Sequence, residues 1–265
     1  MYECAMRIGT EMVNYSGLQQ QVRCYLATLN ALRLVNPDYA WIVKPVLKIM
    51  ETQLAPGMSP KHSYDGEIVT PSKLKPRLDV LELKDIEREF QLINARLKLA
   101  NSSKNNKQTL TAAGPTLSAN DVLTLLVASN LFTEAVKVAK AYQLDFRPIV
   151  EGLASRCVFL SRTAKAAEKD AAWDWLADNQ STEGALTSVE AAWGLLKKLM
   201  QDLETKGQSM LKKAVAIRLI SLGHAGFPAW MISGYKAVNA AELLHLYLSH
   251  GYVLLAAALA VDYIY

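Results

Sequence analysis

The sequence predicts an all-α protein, an irregular α-solenoid of stacked helical hairpins. Three observations carry this. Apolar residues recur at three- and four-residue spacing along most of the chain, the period of a helix face. Convincing period-two alternation of the kind a half-buried strand shows is absent, and the β-branched runs are short. One hairpin grammar also occurs twice, first in Ser118 to Leu144 and again in Asn239 to Asp262. A hairpin of this sort cannot bury its second apolar side alone, so it needs a neighbour stacked on it.

In the first hairpin, Ser118 and Asp121 make a capping-box-like start. Val122, Leu125 and Leu126 follow on one face, and Ser129-Asn130 breaks the run. The second helix places Phe132, Ala135, Val136 and Ala139 on its buried stripe, with Glu134, Lys137 and Lys140 expected to face water. In the later copy Asn239 with Glu242 caps, and Leu243, Leu246 and Tyr247 form the stripe. Ser249-His250-Gly251 turns the chain, and Leu255 and Leu259 continue. The two copies align Leu123, Leu126, Ser129 and Phe132 with Leu243, Leu246, Ser249 and Tyr252.

Taken from the start, Met1 to Asn14 reads as helical, and Ser16 caps a helix striped by Leu18, Val22, Tyr25, Leu29 and Leu32. Asn36-Pro37 stops it, and Tyr39 to Met50 is expected to be a shorter helix disturbed at Pro45. Pro56, Pro60, Pro71 and Pro76 make the next stretch, Thr52 to Asp79, a loop. Leu81 to Ala100 is helical again, with Ile86, Phe90, Ile93 and Leu97 on one side. Pro148 opens a helix where its missing N–H costs nothing, with Val150, Leu153, Ala154 and Cys157 on a core stripe. A helix is expected over Trp173 to Ala177. Another follows Thr187 and Glu190 as capping box and runs through Ala192, Trp193, Leu196, Leu199, Met200 and Leu203 to Gly207. Leu211 to Leu222 ends at Gly223, and Pro228 starts a helix carrying Trp230, Met231 and Tyr235. The expected organisation is a helical segment over 1–50, a flexible linker over 51–80 and a helix over 81–100. A second flexible linker covers 101–117, and stacked hairpins cover 118–265, forming one continuous solenoid with 1–100.

Composition narrows the function classes. Apolar residues make up 51% of the 265, enough for a core, and no segment reaches the roughly 20 apolar residues of a membrane span. Three cysteines (Cys4, Cys24 and Cys157) show no CxxC spacing, which fits a reducing compartment. Net charge is +4 with both signs interspersed, and the basic runs Lys73 to Arg77, Lys197-Lys198 and Lys212-Lys213 are short. Specific nucleic-acid binding, which favours one concentrated basic face, is not expected.

No phosphate loop, nucleophile elbow or HExxH pattern occurs. His62, His224, His245 and His250 share no ligand-like cluster, and Glu87 and Glu89 diverge by about 200° around a helix, as solvated charges. Trp41, Trp173, Trp175, Trp193 and Trp230 fit helix contacts better than a ligand cage. No catalytic site, cofactor or metal is expected. Ser59-Pro60 and Thr70-Pro71 are minimal proline-directed phosphorylation sites, where a phosphate would sit beside Lys61 or Lys73.

Several runs also resemble a known family. They are Cys24 to Ala27, Pro37 to Val43, Glu151 to Ala154, Trp173 to Gln180, Pro228 to Ile232 and Ala240 to Leu244. Their order is similar to the C-terminal helical region of the animal 160-kilodalton scaffold nucleoporins, members of the Y-shaped outer-ring subcomplex of the nuclear pore. The resemblance implies a scaffold at the hub of the Y, meeting the helical C-terminal tails of the 85- and 96-kilodalton scaffold nucleoporins. It implies a part in pore assembly, mRNA export and protein transport, in the nucleus at the pore. The family's N-terminal propeller has no counterpart in the chain, so contacts made by that propeller are not implied. From the residues alone, a helical-repeat adaptor or coat-like module in vesicle traffic remains an alternative, separable by whether a tagged chain decorates the nuclear rim.

The ends read as if cut from something larger, since no cap precedes Tyr2 and Tyr265 lies inside a continuing helix pattern. Over Tyr252 to Tyr265 the one charge is Asp262, and a helix apolar all round is buried on more than one side. Leu243, Leu246, Tyr247, Leu255 and Leu259 are expected to hold the hairpin together. Tyr252, Leu254, Val261 and Ile264 are expected to face a partner.

Overall fold

The computed structural model describes residues 1–11, 14–44, 80–102, 117–166, 188–204 and 210–264. Ten helices and one two-stranded sheet occur among them. The helices are α1 (Tyr2–Glu11), α2 (Tyr15–Arg33), α3 (Leu83–Ser102), α4 (Ala119–Ala128) and α5 (Phe132–Tyr142). Then come α6 (Arg147–Ala166), α7 (Val189–Leu203), α8 (Met210–Ser221), α9 (Ala229–Ser249) and α10 (Val253–Ile264). The sheet pairs β1 (Trp41–Val43) with β2 (Val80–Glu82). Thr52 to Asp79, with Ser59 and Thr70, lies outside the described residues, as do Trp173 to Gln180 and Thr187.

Packing runs mostly between neighbours in a line. α1 packs on α2 and α2 on α3; α3 meets both α4 and α5; α4 and α5 meet α6; α6 carries α7 and α8; α8 leads to α9, and α9 to α10. That chain of nearest-neighbour contacts is the signature of a solenoid, and the all-α expectation holds. Two hydrophobic cores lie along it. The first gathers Tyr2, Tyr25, Leu29, Ile86 and Ile93. The second runs from Ala95 to Leu259 and includes Leu126, Phe132, Leu153, Cys157, Leu196, Leu219 and Tyr235. Leu126 and Leu196, mid-stripe in the sequence, are fully buried.

Four helix ends, those of α4, α5, α8 and α9, follow one rule. Asn130, Gln143, Gly223 and Gly251 sit at positive φ of 59°, 54°, 69° and 78°. The next N–H in each case reaches back five residues to a carbonyl: Leu131 to Leu126, Leu144 to Ala139, His224 to Leu219 and Tyr252 to Tyr247, all at 2.9 Å. This is the Schellman closure, which satisfies orphan carbonyls and reverses the chain in the fewest residues. At the other end, Ser118 Oγ accepts from Asp121 N–H at 3.2 Å while Asp121 Oδ2 accepts from Ser118 N–H at 2.9 Å, a complete capping box.

These caps correct the register read from the apolar residues. Asn239 Oδ1 accepts from Glu242 N–H at 3.0 Å, so Asn239 corresponds to Ser118. α9 spans this position, yet the Asn239 backbone is non-helical at φ −158° and ψ 81°, so α9 is two helices joined at a kink. Leu126 then corresponds to Tyr247, Asn130 to Gly251 and Phe132 to Val253. Matching leucine to leucine puts the two copies one residue out of step, which is about 100° around the second helix.

Other expectations fail locally. Asn14, not Ser16, caps α2, accepting from Gly17 N–H at 2.7 Å. Ser188, not Thr187, caps α7, accepting from Ala191 N–H at 3.1 Å. Trp41 to Val43 is a strand rather than helix, paired antiparallel with Ile42 opposite Leu81. Its partner lies in a segment distant in sequence, beyond the reach of local periodicity. Glu134 does not face water. It is buried between Lys98 of α3 at 2.7 Å and Lys137 at 2.9 Å, which ties α5 to α3. Glu89 accepts hydrogen bonds from the hydroxyls of Tyr2 at 2.8 Å and Tyr25 at 2.9 Å, so it belongs to the junction of α1, α2 and α3.

Candidate partner-binding surface

α10 has two unlike sides. Ala256 and Leu259 are buried against the hairpin, alongside Leu243, Leu246 and Tyr247 of α9. On the other side Leu254 is 87% exposed and Val253 61%, with Ala257, Ala258 and Val261 also exposed. Leu254, Ala257, Ala258 and Val261 follow helical spacing, so they form one continuous apolar stripe. Asp262 at its edge is engaged by Lys236.

The expected assignments divide here. Leu254 and Val261 are exposed on the stripe, and Ile264 closes the helix. Tyr252 is half-buried and packs on the second core instead. Leu255, expected inside, is 37% exposed, and Ala256 takes its place. Both differences follow from the one-residue register shift, because α10 starts at Val253.

The first hairpin covers only the edge of this stripe, since Thr133, Lys137 and Lys140, the counterparts of Leu254, Ala258 and Val261, are exposed. Phe132, Ala135, Val136, Val138 and Ala139 are all buried there. Their counterparts in α10 are Val253, Ala256, Ala257, Leu259 and Ala260. The positions that face the sister helix, Ala256 and Leu259, stay buried in both copies. Val253 and Ala257, the counterparts of Phe132 and Val136, are exposed. Over Phe132 the cover is α6. A Cβ added at Gly152 would lie 3.5 Å from Phe132 Cε1 and 2.4 Å from Val127 Cγ1, so only glycine lets α6 cross that closely.

A second apolar area surrounds the sheet, where Leu34, Val35, Tyr39, Trp41, Val43 and Val80 are exposed beside a groove of about 520 Å³. Several of the other polar groups singled out in the sequence have partners. Lys213 pairs with Glu242 at 2.7 Å and Lys212 with Glu204. Trp193 donates to Ser161 Oγ at 3.3 Å and its ring lies 5.8 Å from His224, while Trp230 packs on the core. His250 Nδ1 lies 2.9 Å from the Leu246 carbonyl, next to the α9 turn. Burial pushes the Cys157 thiol up to about 12, the mark of an inert core residue. Among the described residues no group of three or more potential metal ligands comes together. No described helix is long and apolar enough to cross a membrane.

The chain matches two family models, the Nup160 C-terminal TPR over residues 82–265 and the NUP160/120 middle TPR over residues 1–34. Curated relatives agree. Nuclear pore complex protein Nup160 of Homo sapiens is 37% identical over 268 residues, covering 100% of the chain and 18% of the relative. The Mus musculus protein of the same name is 36% identical with the same coverage, and the Nup160 homologue of Drosophila melanogaster is 34% identical over 267 residues. The chain thus spans about a fifth of the length of these relatives. Identity along the whole chain, together with a matching helical-repeat architecture, settles the family: the chain belongs to the Nup160 family of nuclear pore complex proteins at the nuclear envelope.

Proposed function

We propose that this chain is a structural scaffold module of the pore's Y-shaped outer ring, binding partner helices through the exposed stripe of α10. The partners are the helical C-terminal tails of the 85- and 96-kilodalton scaffold nucleoporins, and the role is assembly of the pore, with mRNA export and nucleocytoplasmic transport depending on it. The reading assigns the chain no catalytic chemistry. The observation that carries it is the exposed apolar stripe itself: Leu254, Ala258 and Val261 stand at positions that Thr133, Lys137 and Lys140 fill with exposed polar side chains in the first hairpin. An amphipathic helix laid along Val253, Leu254, Ala257 and Val261 would cover this apolar surface.

Charge placed on this stripe tests the reading. Leu254→Asp with Val261→Asp in the full-length protein removes two apolar contacts and buries two carboxylates under any covering helix. Recovery of the two tail proteins by co-purification is expected to fall by about tenfold or more. Helical content should stay unchanged, because neither side chain touches the core. Full recovery of both partners with an intact fold would overturn the assignment.

A further inference from the structure

Cationic residues concentrate on α6 and α8, two helices packed against each other. α6 carries Arg147, Arg156, Arg162 and Lys165 against a single acid, Glu151, and α8 carries Lys212, Lys213 and Arg218 with no acid at all. Arg147, Lys212 and Lys213 are engaged by Asp145, Glu204 and Glu242. Arg162 and Arg218 meet neutral acceptors instead. Arg218 donates from Nε to Ser155 Oγ at 2.8 Å, and Arg162 donates to the Leu222 carbonyl just past the end of α8. Neutral acceptors hold the two guanidiniums in place without cancelling their charge. Bonding Ser155 through Nε also leaves both terminal nitrogens of the exposed Arg218 for a further acceptor. Phe159 lies on α6 four residues after Ser155 and three before Arg162, hence between the two anchoring points. It is 51% exposed, and the Arg156 guanidinium sits 5.3 Å from its ring centroid. Ile217, next to Arg218, is exposed on the outer arc of α8.

We propose that this face of α6 and α8 docks an acidic amphipathic segment of a partner protein. Apolar side chains of that segment rest on Phe159 and Ile217, and its carboxylates bind Arg162 and Arg218. Charge complementarity carries the assignment, because an acidic segment neutralises cations that the chain itself leaves with neutral partners. An exposed aromatic ring edged by arginines is also the composition that anchors protein interfaces. A guanidinium fork matches a carboxylate with two parallel hydrogen bonds, which a fixed arginine offers at little cost in side-chain freedom. Single-stranded nucleic acid calls for successive aromatic platforms along a basic track, and this face has one ring. An anionic membrane surface is met by larger basic clusters without fixed geometry, whereas these two arginines are each held by a protein acceptor. The face lies on other helices than the stripe of α10, so the two surfaces can be tested separately.

The experiment titrates the full chain into a fluorescein-labelled helical peptide with a leucine stripe edged by glutamates and follows anisotropy. The expected result is saturable binding that weakens as salt rises, and a loss of about tenfold or more when the glutamates are replaced by glutamines. Arg162→Gln with Arg218→Gln should weaken binding by about tenfold or more. Phe159→Ala should weaken it by about threefold or more, and it leaves the bonds between α6 and α8 in place. Arg23→Glu with Lys140→Glu, a larger charge change at exposed positions on α2 and α5, should keep the affinity within about twofold. Circular dichroism matching the parent shows that the variants fold. Absence of saturable binding, equal weakening by the α2 and α5 pair, or tighter binding of a single-stranded oligonucleotide or phosphatidylserine vesicles at the same arginines would overturn the proposal.

Discussion

Leu126 and Leu254 allow the same substitution to be made at opposite extremes of burial. Leu126 lies in α4 at the centre of the second core with no exposed surface, whereas Leu254 is 87% exposed on α10. Leu126→Ala removes three buried carbons, about 2 kcal/mol in transfer terms, and leaves a cavity that the surrounding core can only partly fill. The total is expected to be about 3–4 kcal/mol, within the range of buried leucine truncations. In a chain of this size that lowers the thermal midpoint by roughly 6–16 °C. Leu254→Ala should shift it by no more than about 1 °C, since little surface leaves water there. Thermal unfolding followed by circular dichroism at 222 nm reads both. Equal shifts for the two variants, or a shift under about 2 °C for Leu126→Ala, would refute the packing of α4 against α5 and α6.

Further outcomes follow from the caps and the buried phenols. Ser118→Ala and Asn239→Ala each remove a side-chain acceptor from a first-turn N–H, and each should cost about 1 kcal/mol in urea unfolding. Similar losses would support the equivalence of the two hairpins. Gln143 adopts φ 54°, so Gln143→Gly should stabilise by about 0.5–1 kcal/mol by removing left-handed strain, read as a higher urea midpoint. Burial, with Glu89 adding to it, raises the phenols of Tyr2 and Tyr25 well above the ordinary tyrosine range. A raised folded-state pKa gives stability that is full below the unfolded value of about 10 and is lost as pH climbs above it. The urea midpoint should therefore fall between about pH 9 and 11, and the Tyr2→Phe, Tyr25→Phe double variant should lose less over that interval.

The parts of this fold that are legible in the sequence are those determined within a turn or two. Val122, Leu126, Leu196 and Leu199 announce their helices because burial follows a 3.6-residue period, and Ser118 with Asp121 announces a start. Glu134 misleads because its charge argues for water, and only the fold brings Lys98 of α3 to neutralise it. Trp41 to Val43 misleads because a three-residue strand owes its existence to Val80 to Glu82 and not to its own pattern. The register of the second hairpin is obscured by its leucines. Asn239 and Gly251, a cap and a left-handed turn, mark the alignment more faithfully than the apolar residues between them. For the same reason Leu254 and Val261 lie on the open side of α10, while Tyr252 and Leu255 exchange roles with their neighbours.

α3 contributes to both cores: Ile86 and Ile93 to the first, Ala95, Leu99 and Ala100 to the second. It begins almost where the match to the Nup160 C-terminal TPR begins, while α1 and α2 fall in the match to the middle TPR. One helix therefore sets the angular phase between two blocks of the array. A residue inserted between Ile93 and Ala95 would twist one block against the other by about 100°, while seven would bring them nearly back into line. Drift in the length of α3 is thus converted into rotation, and the outline of the whole array depends on the residue count of this one rod.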